Sequence, residues 1–327
     1  MDADNIYELF NPIDEFILDT EESYPSIRPL LAHYTNLTTA EEILKRDEIW
    51  LSNPLFMNDH EEVRFGVNNG VNLALQSHEL RHTLSTEKNF DIFSESLNKR
   101  YDDYDHSRDE TGVLNTYIFC LSEHKDNNSD GLLSMWRGYG DTGKGVALVF
   151  DTSKIVPDNN SPLILGKVSY GSQEDRINKL AELVSIFASI IKDHNLLEPD
   201  DLYYSAWALF ERIKTFALFT KHHGFHEEQE WRLVYRPELD QGNKFKEMKS
   251  YFNGPGGIEP KLKLNFNLLS QVLPYELKLE NLIHSIIIGP SSASMLSERT
   301  TKLMLEMIHK QKLITKVTSS STPFRPR

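Results

Sequence analysis

Two glutamates two positions apart, Glu228 and Glu230, lead into a run of strand character in KHHGFHEEQEWRLVYR, residues 221–236. In an extended backbone successive side chains alternate between faces, so Glu228, Glu230 and Arg232 share one face while Trp231, Leu233 and Tyr235 take the other. The apolar set points to a core, which directs the carboxylates towards a cleft. A strand that delivers two acids to a cleft suggests chemistry. The competing reading is a solvated acidic loop ahead of an ordinary strand.

A second stretch, residues 31–62, pairs a histidine with a hydroxyl. His33 and Thr35 share a strand face and Tyr34 points the other way, giving two hydrogen-bonding groups for a ligand at one strand end. A lone strand histidine is more often structural. Other patterns fail on context. Gly138, Gly140 and Gly143 satisfy G-x-G-x-x-G, and with Lys144 nearly satisfy a P-loop, but a helix precedes them and a strand follows. A phosphate loop needs the reverse order, so that a helix N-terminus faces the phosphate. The glycines are expected instead to make a tight turn that lets Arg137 and Tyr139 face the cleft. His222 and His226 are four apart, but a helical pair would enclose Gly224, and the zinc-hydrolase signature has a glutamate where this chain has His223. A hydrolytic metal site is therefore not favoured.

Positioning these groups requires a sheet. Strand character is read at residues 31–35, 49–52, 117–122, 145–150, near 165–170, from 230, into 286–289 and near 314–318. Helical spacing appears at Val63, Val67, Val71 and Leu75, then at Phe90, Phe93 and Leu97, and again at about 130–139, 173–194, 200–219 and 292–309. Thr38 or Thr39 with Glu41 or Glu42 predicts a capping box for a short helix ending at Arg46. Trp207, Phe210, Ile213 and Phe216 predict a core stripe. The charged run at 101–110 and FNGPGG at 252–257 are expected as loops. The fold class is α+β: one domain over residues 31–327 with helical insertions at about 60–110 and 172–220, after an N-terminal helical extension over residues 1–30.

Composition limits function. The chain has 327 residues, 39% hydrophobic and 26% charged, as globular domains do. With 35 basic against 49 acidic residues the formal charge is −14, which opposes extended non-specific binding to nucleic acid. Cys120 is the single cysteine, which excludes an internal disulfide and a cysteine-based zinc cluster. The start, MDADNIYELF, lacks signal-peptide features, and no apolar run approaches a membrane span. A cytoplasmic protein without membrane partners is expected.

HYTN at 33–36, FMND at 56–59, FCLSEH at 119–124, LLSMWRGYGDTGKGVALVFD at 132–151, GFHEEQEWRLV at 224–234, IIIGP at 286–290 and TPFR at 322–325 form an ordered series. Over about residues 30–327 this series resembles a bacterial family known as domain of unknown function 2971. Its first block looks like the opening of the ADP-ribosyltransferase fold, and its ExEWR block like the glutamate strand of that fold. The resemblance implies a split β-sheet core with helical insertions and NAD as the consumed cofactor, in a transferase or glycohydrolase reaction. Glu230 would hold the ribose hydroxyl and the cation, and Glu228 would orient or deprotonate the acceptor, an unknown protein or nucleic acid. His33 would bind the adenosine ribose, with Tyr34, Thr35 and Asn58 around the cofactor. Trp136 or Tyr139 would stack on nicotinamide, and Arg137 or Arg232 would bind the pyrophosphate. Such an enzyme would fit a bacterial toxin or a phage-defence effector. Two further readings stay open: a non-enzymatic nucleotide- or peptide-binding sensor, and a metal-dependent hydrolase or nuclease built on Asp59, Glu61, His226 and Glu230.

Overall fold

The computed structural model describes residues 3–57, 60–106, 113–158, 161–254, 257–273 and 275–324. The chain divides into two compact units, residues 24–52, 117–165 and 227–327 in one and residues 1–23, 53–116 and 166–226 in the other.

The alternating segments build the first unit, an α+β arrangement on a ten-stranded, mostly antiparallel sheet. Its strands are β1 (Leu30–Thr35), β2 (Glu48–Ser52), β3 (Tyr117–His124), β4 (Val146–Asp151), β5 (Leu163–Lys167), β8 (Glu230–Tyr235), β9 (Lys249–Gly254), β10 (Gly257–Asn265), β11 (Ile283–Ile288) and β12 (Val317–Ser319). The order is β12-β11-β4-β1-β3-β2-β10-β9, with β8 against β3 and β5 against β8. One edge of β3 carries β8 along residues 117–122. Its other edge is shared, because Leu30, Leu31 and Ala32 pair with His124, Glu123 and Ser122 whereas Ser52 pairs with Ile118. β1 and β2 thus diverge from a single edge. One sheet face packs Leu31, Leu51, Phe119, Leu148, Trp231 and Tyr235 into the larger core. The other packs Ala32, Tyr34, Val149 and Ile287 with Trp136.

Among the described residues this unit holds the α-helices α3 (Leu37–Arg46), α7 (Leu133–Gly138), α10 (Phe266–Val272), α11 (Leu279–Leu282) and α12 (Met295–Met307). The cap of α3 is Asn36, whose side chain accepts from the Thr39 amide at 2.8 Å, and not the predicted threonine box. Asparagine caps at least as well as threonine, so the helix starts two or three residues earlier. Of FNGPGG, expected as a loop, residues 255 and 256 lie outside the described residues, while Gly254 pairs with Gly257 and Phe252 with Glu259 as strand.

The second unit is helical. It comprises α1 (Ala3–Leu9), α2 (Asn11–Leu18), α4 (His60–Gln76), α5 (His78–Thr83), α6 (Glu87–His106), α8 (Gln173–His194) and α9 (Pro199–Phe219), with a short parallel pair of β6 (Ser169–Gly171) and β7 (Thr220–His222). The expected insertions and the N-terminal helices therefore pack with one another. Ser172 and Asp175 form a reciprocal capping box that starts α8 at the expected residue. α9 runs through the middle, touched by α1, α2, α4, α6 and α8. Phe210, Ile213 and Phe216 are buried as predicted, while Trp207 is half-buried. A central helix must also bury its polar positions, so Glu211 takes Lys214 at 2.5 Å and Arg100 at 3.1 Å, and Arg212 takes Asp14 at 2.9 Å. The charged run from 101 continues α6 to His106. Among the described residues no helix is long and apolar enough to cross a membrane.

Candidate functional site

Register decides which side chains meet. Ala32, Ser122 and Glu230 lie in one row across β1, β3 and β8, so Glu230 and Arg232 project from the face that carries Ala32 and Tyr34. Arg232 stands beside Glu230, as alternation requires. Its Nε is 2.7 Å from Glu230 Oε1 and a terminal nitrogen is 3.1 Å from Oε2, a two-pronged bond between a buried carboxylate and a guanidinium with no exposed surface. Such a pair fixes geometry, because each charge stays compensated only while the other is in place. Glu230 is therefore not a carboxylate presented to a cleft, and Arg232 does not offer its guanidinium to a pyrophosphate.

Glu228 departs from the strand. Gln229 adopts φ +46° and residues 223–228 form a tight 3-10 turn, so the extended geometry that would align Glu228 with Glu230 ends at Gln229. The turn is pinned to β3: Ser122 Oγ donates to the Glu228 carbonyl and the Glu123 amide donates to the Gln229 carbonyl at 2.8 Å. The half-buried Glu228 side chain accepts a hydrogen bond from the Tyr139 hydroxyl at 3.0 Å. Tyr139 is 40% exposed. Arg137, two residues earlier, is exposed and lies 5.6 Å from the ring centre of Phe324.

Three distant segments brace this rim. Asp141, Thr142 and Gly143 have φ of +48°, +52° and +78°, a run of left-handed backbone. A β-carbon on Gly143 would lie 2.7 Å from both Phe324 Cδ1 and Ser291 Oγ, and one on Gly145 would lie 2.1 Å from the Thr35 carbonyl oxygen. The first glycine serves the left-handed turn and the second the close backbone approach. The Ser291 amide donates to Gly143 and the Gly289 amide to Gly145, each at 2.8 Å. Asp130 holds the tail, accepting from the Ser321 amide through its carboxylate and from Ser320 Oγ at 2.9 Å through its carbonyl. The Ser321 amide, foremost, keeps the Asp130 carboxyl below the usual aspartate range.

The other expected site residues lie elsewhere. Tyr34 and Trp136 are core, their rings edge to face at 4.8 Å. The Tyr34 hydroxyl accepts from the Leu132 amide at 2.7 Å, and burial pushes its pKa up to about 12. Trp136 donates to the Asp130 carbonyl at 2.8 Å and has no exposed surface, so it gives nicotinamide no platform. His33 and Thr35 share a face, but it is the opposite one from Glu230 and Arg232. His33 pairs across to Leu148 and stacks on Phe119 at 4.3 Å. Its Nδ1 lies 3.0 Å from the Cys120 carbonyl, which can only accept, so Nδ1 carries the proton. Solvent reaches part of the residue, yet burial of the ring pushes its pKa down to about 4. Thr35 is buried. The expectation that His33 and Glu230 open onto one cleft is thus overturned: alternation held within each strand, and the pairing register placed the two on opposite faces. Asn58 and Asp59 lie outside the described residues.

Asp130, Ser291 and Phe324 carried no role in the sequence reading, although FCLSEH, LLSMWRGYGDTGKG, IIIGP and TPFR were all singled out. Of these blocks only LLSMWRGYGDTGKG is glycine-rich; IIIGP ends one residue before Ser291, TPFR contains Phe324, and Asp130 lies between the first two blocks. The helical unit has its own cavity of about 240 Å³, lined by Lys99, Arg100, Asp103, Tyr203, Tyr204 and Trp207 among others. None of the expected site residues lines it. Among the described residues no group of three or more histidine, cysteine, aspartate or glutamate side chains could hold a metal ion.

A family model described as protein of unknown function (DUF2971) matches residues 135–233. The matched stretch contains Arg137, Tyr139, Glu228, Glu230 and Arg232. No curated protein and no solved structure matches the chain.

Proposed function

We propose that this protein consumes NAD at the rim formed by Arg137, Tyr139 and Glu228, as a glycohydrolase or an ADP-ribosyltransferase. The observation that carries the reading is the Tyr139–Glu228 hydrogen bond at an exposed edge, two residues from an exposed guanidinium. In the reaction the bond from ribose C1′ to the nicotinamide nitrogen breaks, and its electron pair leaves with nicotinamide. The ribose carries the positive charge until water or an acceptor nucleophile forms a bond to C1′ and gives up its proton to solvent. Glu228 faces that charge, and the Tyr139 hydroxyl fixes its orientation, so the negative charge is aimed before the reaction starts. Arg137 suits the pyrophosphate as a planar, permanently charged fork. The Tyr139 ring offers nicotinamide a partly exposed aromatic surface. Glu230 acts through position: its bond to Arg232 fixes the strand from which the Gln229 turn throws Glu228 outward. The divergence of β1 and β2 from one edge of β3 supports the split-sheet comparison with ADP-ribosyltransferases.

One observation favours a second reading, a nucleotide-binding module without turnover: the acid expected to hold the ribose cation is buried in an ion pair. Chromatographic measurement of nicotinamide after incubation with NAD, beside calorimetric titration with NAD, separates the two. Binding with release supports the enzyme, and binding without release the module. Absence of binding removes NAD as the ligand.

A further inference from the structure

Helix α12 meets the core through Leu305, which is fully buried, and turns a second apolar stripe outward. Leu296, Leu303 and Met307 are 71%, 54% and 73% exposed. Leu296 and Leu303 are seven residues apart, two helical turns, and so fall within about 20° of one line. Met307, four residues past Leu303, extends it. An apolar line this exposed marks an interaction surface.

Charge identifies the occupant. Arg299 and Glu306 are both exposed and lie on one flank of the stripe. Glu298 and Lys302 of the same helix pair with each other at 3.6 Å, whereas neither the Arg299 nor the Glu306 side chain has a partner among the described residues. Seven residues separate Arg299 from Glu306, about 10 Å along the axis, too far for them to meet within one helix. We propose that the stripe is the two-fold interface of a homodimer, in which α12 packs antiparallel against α12 of a second copy. A two-fold axis beside Leu303 sets Leu303 against its own copy and Met307 against Leu296 and Thr300. It also brings the same flank of both helices together, so that Arg299 of each copy faces Glu306 of the other. In the parallel alternative the two-fold axis runs along the helices and carries the charged flanks of the two copies to opposite sides, so Arg299 and Glu306 do not meet across the contact. Self-complementarity of this kind is what a two-fold contact requires. One helix pair covers less than the roughly 800 Å² per partner of a standard interface, so dimer and monomer exchange. The inference is independent of the NAD reading, since α12 contributes none of the rim residues.

Sedimentation velocity of the full chain over a concentration series tests it. The wild type should pass from monomer to dimer. Leu303→Glu, at an exposed position where the fold tolerates charge, should weaken association by at least about tenfold with an unchanged melting temperature. Arg299→Glu and Glu306→Arg should each weaken it by about tenfold, and the double variant should recover most of the loss. A wild type that stays monomeric throughout overturns the proposal. So does a Leu303→Glu protein that associates like wild type, or a double variant no tighter than the single ones.

Discussion

Glu228 and Glu230 are two residues apart and meet opposite fates. Glu230 begins β8, is buried, and is gripped by Arg232 through both carboxylate oxygens. Glu228 ends a 3-10 turn, is half-buried, and meets the hydroxyl of an exposed tyrosine. A single left-handed residue, Gln229, separates an acid held in a buried ion pair from one at an exposed edge. Residue type and spacing therefore nominate a pair, and backbone conformation decides which member solvent reaches.

The sharpest way to break this contrast is to remove the buried member. Glu230→Ala strips Arg232 of a two-pronged partner and should lower folding stability by about 3–5 kcal/mol, the usual cost of leaving a buried charge uncompensated. Chemical denaturation measures it, and a loss under 1 kcal/mol, on the order of a surface pair, would place Glu230 with Glu228. His33 is expected to side with Glu230. His33→Ala should cost about 1–3 kcal/mol through lost packing and the lost bond to the Cys120 carbonyl. It should leave NAD affinity unchanged in calorimetric titration, and a tenfold weaker affinity would return His33 to the ligand site.

The pH profile adds a sign. Burial lowers the folded His33 pKa from 6.5 to about 4. Above about pH 6.5 the ring is neutral in both states. As pH falls from there towards 4, the unfolded chain takes up the proton first and stability drops. His124 is lowered in the same direction, also mainly by burial, so His33→Ala should make this slope shallower without abolishing it. Equal slopes in the two proteins, read from denaturation midpoints between pH 4 and 7, would contradict the buried placement. The smallest stability effect belongs to the exposed pair. Tyr139→Phe should shift stability by no more than about 0.5 kcal/mol, as surface substitutions do, while slowing nicotinamide release by about tenfold. A large loss of stability would make Tyr139 structural.

Periodicity carried much of the fold. The β1–α3–β2 opening, the start and end of α8 and the buried stripe of α9 were legible because apolar residues recur there at strand or helix spacing. The site was legible in its residue types and only partly in its geometry. Alternation assigned His33 with Thr35 and Glu230 with Arg232 correctly within their own strands. It says nothing about which faces coincide between strands, because that follows from pairing register, as in the row Ala32–Ser122–Glu230. Gln229 carries no turn signal, so its left-handed backbone was invisible, and with it the parting of Glu228 from Glu230. FNGPGG reads as a loop by composition, yet its ends pair as strands. Phe324 and Asp130 reach the rim through contacts spanning about half the chain, which no local pattern records.

The central claim is that Glu228 acts and Glu230 supports. Nicotinamide release from NAD by the wild type and by Glu228→Gln, each with its melting temperature recorded, tests it most directly. The account predicts that Glu228→Gln melts with the wild type, binds NAD within about threefold, and releases nicotinamide at least about a hundredfold more slowly, the loss expected when preorganised charge leaves a transition state. A folded Glu228→Gln protein that releases nicotinamide at the wild-type rate would contradict it.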